Sequence, residues 1–163
     1  MGETYSRISQ ASIAIIKVSI DGEDKYLLQW NKKWNNYNFI SGKVEEDLDG
    51  GSFERCVIRE IEEELPPLRY VADFTVSEIL PGFMEMISFS KRTLQTTLYR
   101  FKLYQLFFTK PLQEYETLWT KDRENRWFSK EELLRGDMVA SFPIPDVISQ
   151  IPQGLDSLPL STP

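Results

Sequence analysis

Several stretches of the chain alternate hydrophobic with polar residues, the pattern of β-strands that bury one face. Alternation predicts a strand over residues 11–20, and residues 25–30 are its expected hairpin partner. Residues 70–80 and 95–108 are rich in Thr, Tyr, Phe, Val and Leu, which favours strands, and shorter strands are predicted at 37–40 and 127–128. Asp21-Gly22, between the first two strands, is a two-residue turn signal and predicts a β-hairpin there. Residues 83–92 are less regular. The pattern therefore predicts a fold built around a β-sheet.

Two segments have the features of α-helices. In residues 52–65 hydrophobic residues recur every four positions, Ser52 is a suitable N-cap, and Pro66-Pro67 ends the helix. The second helix begins at a capping box, in which Ser129 is followed three residues later by Glu132. The order of strands, helix, strands, helix predicts an α+β or mixed α/β domain, in which helices cover the faces of the sheet.

The first predicted helix carries a run of acids in residues 59–64. At about 100° per residue, Glu60, Glu63 and Glu64 fall within an arc of roughly 100° that borders the hydrophobic stripe. A solvated acidic face would lie opposite that stripe, and for a Glu-rich helix this alternative stays open. Carboxylates crowded beside a core favour a hard divalent cation such as Mg²⁺ or Mn²⁺, and with it phosphate chemistry.

The surroundings of this helix resemble the signature of the Nudix hydrolases. That signature is Gly, five residues, Glu, seven residues, Arg-Glu, an aliphatic residue, any residue, Glu-Glu, any residue, Gly and an aliphatic residue. Gly42 fits the opening Gly, and residues 59–64 fit the central run in register. Residues 124–133 are similar to the family's late strand-to-helix segment, so the resemblance covers roughly residues 9–151. It implies a Nudix-like mixed β-sheet sandwiched by helices.

The sequence departs from this signature at two places. Gly51 stands where the signature has its first Glu, and it follows Gly42 by nine positions rather than six, which is an insertion of three residues. Pro66-Pro67 replaces the closing Gly and aliphatic residue. The sequence leaves open whether an acid of the lengthened loop substitutes for the missing Glu. The acids of that loop are Glu45, Glu46, Asp47 and Asp49.

The resemblance implies a Nudix-type pyrophosphohydrolase, which cleaves the pyrophosphate bond of a nucleoside diphosphate linked to another group with Mg²⁺ or Mn²⁺. It also implies the metal ligands, which would be Glu60, Glu63, Glu64 and the backbone carbonyl of Ser41. Glu60 or Glu63 would act as the catalytic base, and Arg59, four residues before Glu63, would orient it by an ion pair. The missing first Glu supports an alternative, a catalytically impaired Nudix-fold module that binds a nucleotide or a protein.

Three residues near the signature are candidates for substrate binding: Lys43 for a phosphate, Trp34 for stacking on a base, and Glu45. An exposed lysine in a turn and an aromatic residue packed in the fold are the plainer interpretations of Lys43 and Trp34. The net charge of -6 disfavours long RNA and leaves a small nucleotide as the favoured substrate, whose identity the sequence does not give.

Composition limits the other possibilities. With 163 residues, of which 41% are hydrophobic, the chain is expected to form one domain over residues 1–152. Residues 153–163 carry prolines among small polar residues and are expected to form a flexible tail.

Charge and residue counts exclude several classes of function. A net charge of -6 disfavours binding to long nucleic acids, and the absence of histidine excludes His-based catalysis and His-containing zinc sites. The single cysteine, Cys56, cannot form an intrachain disulfide, which favours a cytoplasmic protein. No run of about 20 apolar residues occurs, so no membrane partner is expected. A homodimer is left open.

Overall fold

The computed structural model describes residues 5–32, 35–90, 94–115, 125–135 and 144–163. The strands within these ranges are β1 (Arg7–Ile15), β2 (Lys17–Ile20), β3 (Glu23–Asn31), β4 (Asn36–Asn38), β5 (Ile40–Lys43), β6 (Phe74–Glu78), β7 (Met84–Ser90), β8 (Gln95–Phe108) and β9 (Asn125–Ser129). The helices are α1 (Glu46–Asp49), α2 (Phe53–Glu64), α3 (Lys130–Leu134) and α4 (Ile144–Ser149). In the described part of the chain, no helix is long and apolar enough to cross a membrane.

The strands pair in two sheets. The larger sheet has the order β5-β1-β8-β6, and β7 pairs with the first half of β8. β1 and β8 are parallel, whereas the other pairs of this sheet are antiparallel. The smaller, antiparallel sheet has the order β2-β3-β4, and β9 also pairs with β3. The larger sheet is therefore mixed, which confirms the predicted fold class.

Helix α2 forms where the hydrophobic spacing predicts it. The Ser52 hydroxyl accepts a hydrogen bond from the backbone N–H of Arg55 at 3.2 Å and so caps the first turn. Phe53, Val57 and Ile61 are buried in the cluster that α2 shares with β1 and β5. This packing fixes the rotation of the helix, because the hydrophobic stripe must face the sheet.

Hydrophobic clusters lie on both faces of the larger sheet. Along β1, Ala14 belongs to the cluster under α2, whereas Ile13 and Ile15 belong to the cluster on the opposite face. That second cluster contains Leu133 of α3 and Val147 of α4. Helices thus cover the sheet on both sides, as predicted.

Two elements differ from the pattern read along the sequence. Residues 84–90, part of the stretch that is less regular, form β7, because β8 offers a continuous partner from Phe101 to Gln95. The acidic loop after β5 contains the single turn α1. Four residues are too few to show a helical period, so tertiary contacts rather than local pattern determine α1.

The segment expected to be a flexible tail packs against the sheets. The backbone N–H of Phe108 donates to the Ser161 carbonyl at 2.7 Å, and the N–H of Ser161 donates to the Lys17 carbonyl at 2.7 Å. Ser161 is fully buried, and the Lys17 ammonium donates to the Leu158 carbonyl at 2.8 Å. Composition suggested a loose segment, but these backbone hydrogen bonds hold it beside β2 and β8.

Candidate active site

The carboxyl group of Glu60 lies directly on the backbone of Gly42. Helix α2 crosses β5 at this point, and a Cβ atom at position 42 would overlap the Glu60 carboxylate. The Glu60 side chain is only 14% exposed. Burial raises the pKa of Glu60 to about 7, opposed by the Arg59 guanidinium and reinforced by Glu63 and Glu64. The opening Gly of the signature therefore makes room for an acid of the helix.

Gly42→Ala is expected to lower metal-dependent activity about 100-fold, because a displacement of about 1 Å in an active site costs that much. The φ angle of Gly42 lies outside the left-handed region, so the backbone accepts alanine and the effect isolates the clash with Glu60. The measurement is kcat/KM for the variant and the wild type at saturating Mg²⁺, with circular dichroism to check the fold. A variant within threefold of the wild type would show that the position of Glu60 is not critical.

Arg59 is the centre of a network of ion pairs. Its Nε and Nη2 donate to the two carboxylate oxygens of Asp49 at 2.8 and 2.9 Å. Its Nη1 donates to Glu60 at 3.1 Å and approaches the Glu63 carboxylate at 3.4 Å. The Asp49 side chain is 1% exposed, and the guanidinium beside it lowers the pKa of Asp49. Because the pair is bidentate and nearly dry, Arg59 is held in one position relative to both glutamates.

The inserted loop supplies the partner of Arg59. Asp49 is the last residue of α1, and its Oδ2 also accepts the backbone N–H of Glu45 at 2.8 Å. Glu45, Glu46 and Asp47 have exposed side chains. Among the four acids that the sequence leaves open, Asp49 is thus the one that pairs with Arg59.

The backbone explains why position 51 does not carry this acid. Gly51 has a φ of 76°, in the left-handed region that side chains other than glycine rarely adopt. A Cβ atom there would lie 3.0 Å from Oε2 of Glu46. Gly50 has a φ of 59°, and these two glycines reverse the chain between α1 and α2. The lengthened loop thus presents its acid two residues earlier than the signature does.

Glu63, Glu64 and Ser41 lie around the same end of α2. The Glu63 side chain is 53% exposed. Glu64 and Ser41 both line a cavity of about 240 Å³, whose remaining walls come from β3 and β4 and the residues that follow each strand. The structure therefore joins Arg59, Glu60 and Glu63 directly and places Glu64 and Ser41 at the adjoining cavity.

The donor atoms of this region fit a divalent cation of the Mg²⁺ or Mn²⁺ kind, since they are carboxylate oxygens and a backbone carbonyl. Within the described ranges, no three acidic or cysteine side chains converge on one point as they stand. The half-exposed carboxylate of Glu63 lies 3.4 Å from Nη1 of Arg59, and the largely buried carboxylate of Glu60 lies 3.1 Å from the same atom. Chemistry and position thus fit an ion more closely than they fit a solvated acidic face.

Of the three residues predicted to bind substrate, Lys43, Glu45 and Trp34, the structure describes the first two. The Lys43 side chain is exposed, and its backbone carbonyl accepts from Nη2 of Arg59 at 3.3 Å. The exposed Glu45 contributes its backbone N–H to Asp49. Trp34 lies outside the described residues.

Sequence reasoning missed the polar side chains that line the cavity. These are Gln29, Asn31, Lys32 and Asn38. A signal was available, because amide residues recur at alternate positions in and around residues 29–38 of the chain.

The fold and the site together define a class of protein. A mixed sheet carries a strand, a glycine turn and a helix that presents an arginine and three glutamates at the sheet edge, the arrangement of a Nudix fold. The NUDIX domain matches residues 9–144, and the chain belongs to this family.

Solved structures share the fold. The structure of Shewanella oneidensis NrtR is 17% identical with a TM-score of 0.62, and the match covers 88% of this chain and 61% of that one. The NUDIX domain of the same protein complexed with ADP ribose is 14% identical with a TM-score of 0.55, covering 90% and 87%. A C. elegans Ap4A hydrolase is 16% identical with a TM-score of 0.50, covering 85% and 87%. A comparison with the curated proteins gave no match.

Proposed function

We propose that this chain is a metal-dependent hydrolase that cleaves the pyrophosphate bond of a nucleoside diphosphate linked to another group, with a small nucleotide as substrate. The observation that carries the proposal is the network in which Arg59 pairs with Asp49 and also reaches Glu60 and Glu63. The chain lacks the first Glu of the signature, yet the partly buried Arg59 has a carboxylate partner in Asp49. A module that no longer catalyses a reaction would have no evident need to keep a carboxylate partner for Arg59.

Glu60, Glu63, Glu64 and the carbonyl of Ser41 would hold Mg²⁺ or Mn²⁺. The ion, when bound, neutralises charge on the phosphates and lowers the pKa of an attacking water. Gly42 lets Glu60 sit close to the sheet, and Arg59 contacts the carboxylates of both Glu60 and Glu63. Glu60 or Glu63 would accept the proton of that water.

The named neighbours are consistent with this substrate class. One was solved with ADP ribose, a nucleoside diphosphate linked to a sugar, and another is an Ap4A hydrolase. Their identity to this chain is low, and the chain spans 61% of the length of full NrtR. The likeness therefore guides the choice of test compounds.

The test is release of phosphate-containing products from a panel of nucleotide sugars, dinucleoside polyphosphates and dinucleotide cofactors, with Mg²⁺, with Mn²⁺ and with EDTA. We expect at least one compound to be cleaved with either ion and none with EDTA. If no compound is cleaved but nucleotides still raise the melting temperature, the hydrolase is wrong and the non-cleaving binding module replaces it.

A further inference from the structure

One face of the β3–β4 hairpin carries four carboxamide side chains. The strands pair in a register that sets Gln29 opposite Asn38 and Asn31 opposite Asn36. Side chains alternate between the faces of a strand and directly opposed residues share a face, so these four lie together. We call this set, Gln29, Asn31, Asn36 and Asn38, the carboxamide face.

The opposite face of the hairpin is aromatic and held in place. Trp30 lies opposite Tyr37, and their rings meet edge to face with centroids 5.0 Å apart. The ring of Tyr37 makes a similar contact with Phe128 at 5.1 Å. Packing on this side gives the carboxamide face a fixed orientation.

The carboxamide face looks toward the candidate active site. Nε2 of Gln29 donates to the backbone carbonyl of Glu64, the last residue of α2, at 3.5 Å. Gln29, Asn31 and Asn38 line the cavity of about 240 Å³ that also includes Glu64 and Ser41. A group bound there would adjoin the proposed metal ligands.

The size and charge of the cavity select which part of a substrate enters. Sites for whole small molecules are usually about 300–1,000 Å³, so this cavity suits one portion of a nucleotide. Among the described residues that line it, the charged ones are one cation, Lys32, and one anion, Glu64. Phosphates are therefore better placed at a metal ion, and an uncharged polar group is better placed against the carboxamide face.

Carboxamides match the edges of nucleobases. Each offers donor and acceptor atoms side by side, and Asn and Gln bind adenine through two such hydrogen bonds in other settings. The Asn36 side chain adds a second observation, because its Oδ1 is buried without a hydrogen-bond partner among the described residues. Asn36 is 4% exposed and lies behind the cavity wall, on the same face of the hairpin as the three carboxamides that line the cavity. A buried acceptor of this kind is costly until a donor reaches it.

We propose that the carboxamide face is the nucleobase subsite, which selects substrates by the hydrogen-bonding edge of the base. The inference rests on the proposed function, because it requires a substrate that carries a nucleoside. It goes further by assigning separate roles to two parts of the site: the acids of α2 act on the diphosphate, and β3 and β4 recognise the base.

The test compares Gln29→Leu and Asn31→Leu with the wild type on ADP-, GDP-, CDP- and UDP-glucose. Leucine has a similar size but makes no hydrogen bond, so kcat/KM for the preferred base should fall about tenfold, mainly through KM, and discrimination among bases should narrow. Gln95→Leu is the matched control, since Gln95 is exposed at the start of β8. Melting temperatures identify any variant that fails to fold. Because two positions are substituted separately, the test still works if one of the two variants does not fold.

A second readout separates this inference from the proposed function. Binding of the free nucleosides is measured in EDTA by nuclear magnetic resonance line broadening, which needs neither a metal ion nor cleavage. Nucleoside binding that Gln29→Leu weakens supports the subsite even if the wild type cleaves nothing. A wild type that cleaves its substrate, with both leucine variants keeping its base preference and KM, would overturn the subsite while leaving the hydrolase intact.

Discussion

Glu63→Gln is expected to lower the rate of metal-dependent hydrolysis by about 100-fold or more, the range that a general base or a comparable charged group contributes. Glutamine keeps the size of the side chain and removes the charge that faces Nη1 of Arg59 at 3.4 Å. The Glu63 side chain is 53% exposed, so the free energy of unfolding should change by no more than about 0.5 kcal/mol. This substitution is therefore expected to lower activity without a large loss of stability.

The measurement is kcat/KM with the substrate that the panel identifies, together with the rise in melting temperature on adding Mg²⁺. Glu54→Gln is the matched control, because Glu54 is exposed on the same helix and lies about 13 Å nearer its N-terminus. The control should keep both the activity and the Mg²⁺-dependent rise, and Glu63→Gln should lose both. Equal behaviour of the two variants would remove Glu63 from the site.

Much of the fold follows from local pattern. β8 runs over Gln95–Phe108, the bounds that its content of strand-favouring residues predicts, and the Ser129 and Glu132 capping box forms at the start of α3. Helix α2 differs from its prediction only at its ends. In each case a strong period or a side-chain cap acts within the segment itself, so no distant partner is needed to recognise it.

The parts that the sequence missed depend on partners elsewhere in the chain. β7 exists as a strand because β8 pairs with it, and the tail is ordered by hydrogen bonds to Phe108 and Lys17. The candidate site shows the same difference between features set by nearby residues and features set by distant ones. The signature predicts that Arg59 lies beside Glu63, which is one helical turn away, and the two do approach each other. The amide residues of the carboxamide face are visible in the sequence, but only the register of β3 and β4 shows that they share one face.

Asp49→Asn is expected to destabilise the protein by about 2 kcal/mol, because it breaks a nearly dry, bidentate ion pair on one side only. The loss falls below the range for a fully isolated charge, since Arg59 keeps its contacts with Glu60 and Glu63. For a chain of this size the melting temperature should fall by about 4–8 °C. Activity should fall about 10- to 100-fold, as for other residues that orient metal ligands through a neighbour.

The pH dependence of this effect has a definite sign. Arg59 lowers the pKa of Asp49 in the folded protein, so the pair stabilises the fold fully above the pKa of a free aspartate, about 4. The contribution is lost as the pH falls through the lowered pKa of Asp49. Unfolding measured against pH should therefore show the wild type and Asp49→Asn separated at neutral pH and converging below about pH 4. A difference that persists undiminished at lower pH would contradict the ion pair as its source.

A rescue experiment distinguishes the position of the acid from its mere presence in the loop. In Asp49→Ala/Gly51→Glu the acid returns to the position that the family signature uses. It should not restore activity, because residue 51 has a left-handed φ of 76° and its Cβ would lie 3.0 Å from Glu46. Asp47→Asn, which removes an exposed charge from the same turn, should leave stability within about 0.5 kcal/mol of the wild type. Recovery of activity in the double variant would mean that the loop can return to the signature's register. If the double variant stays inactive while Asp47→Asn is as stable as the wild type, the acid that supports Arg59 in this longer loop must be at position 49.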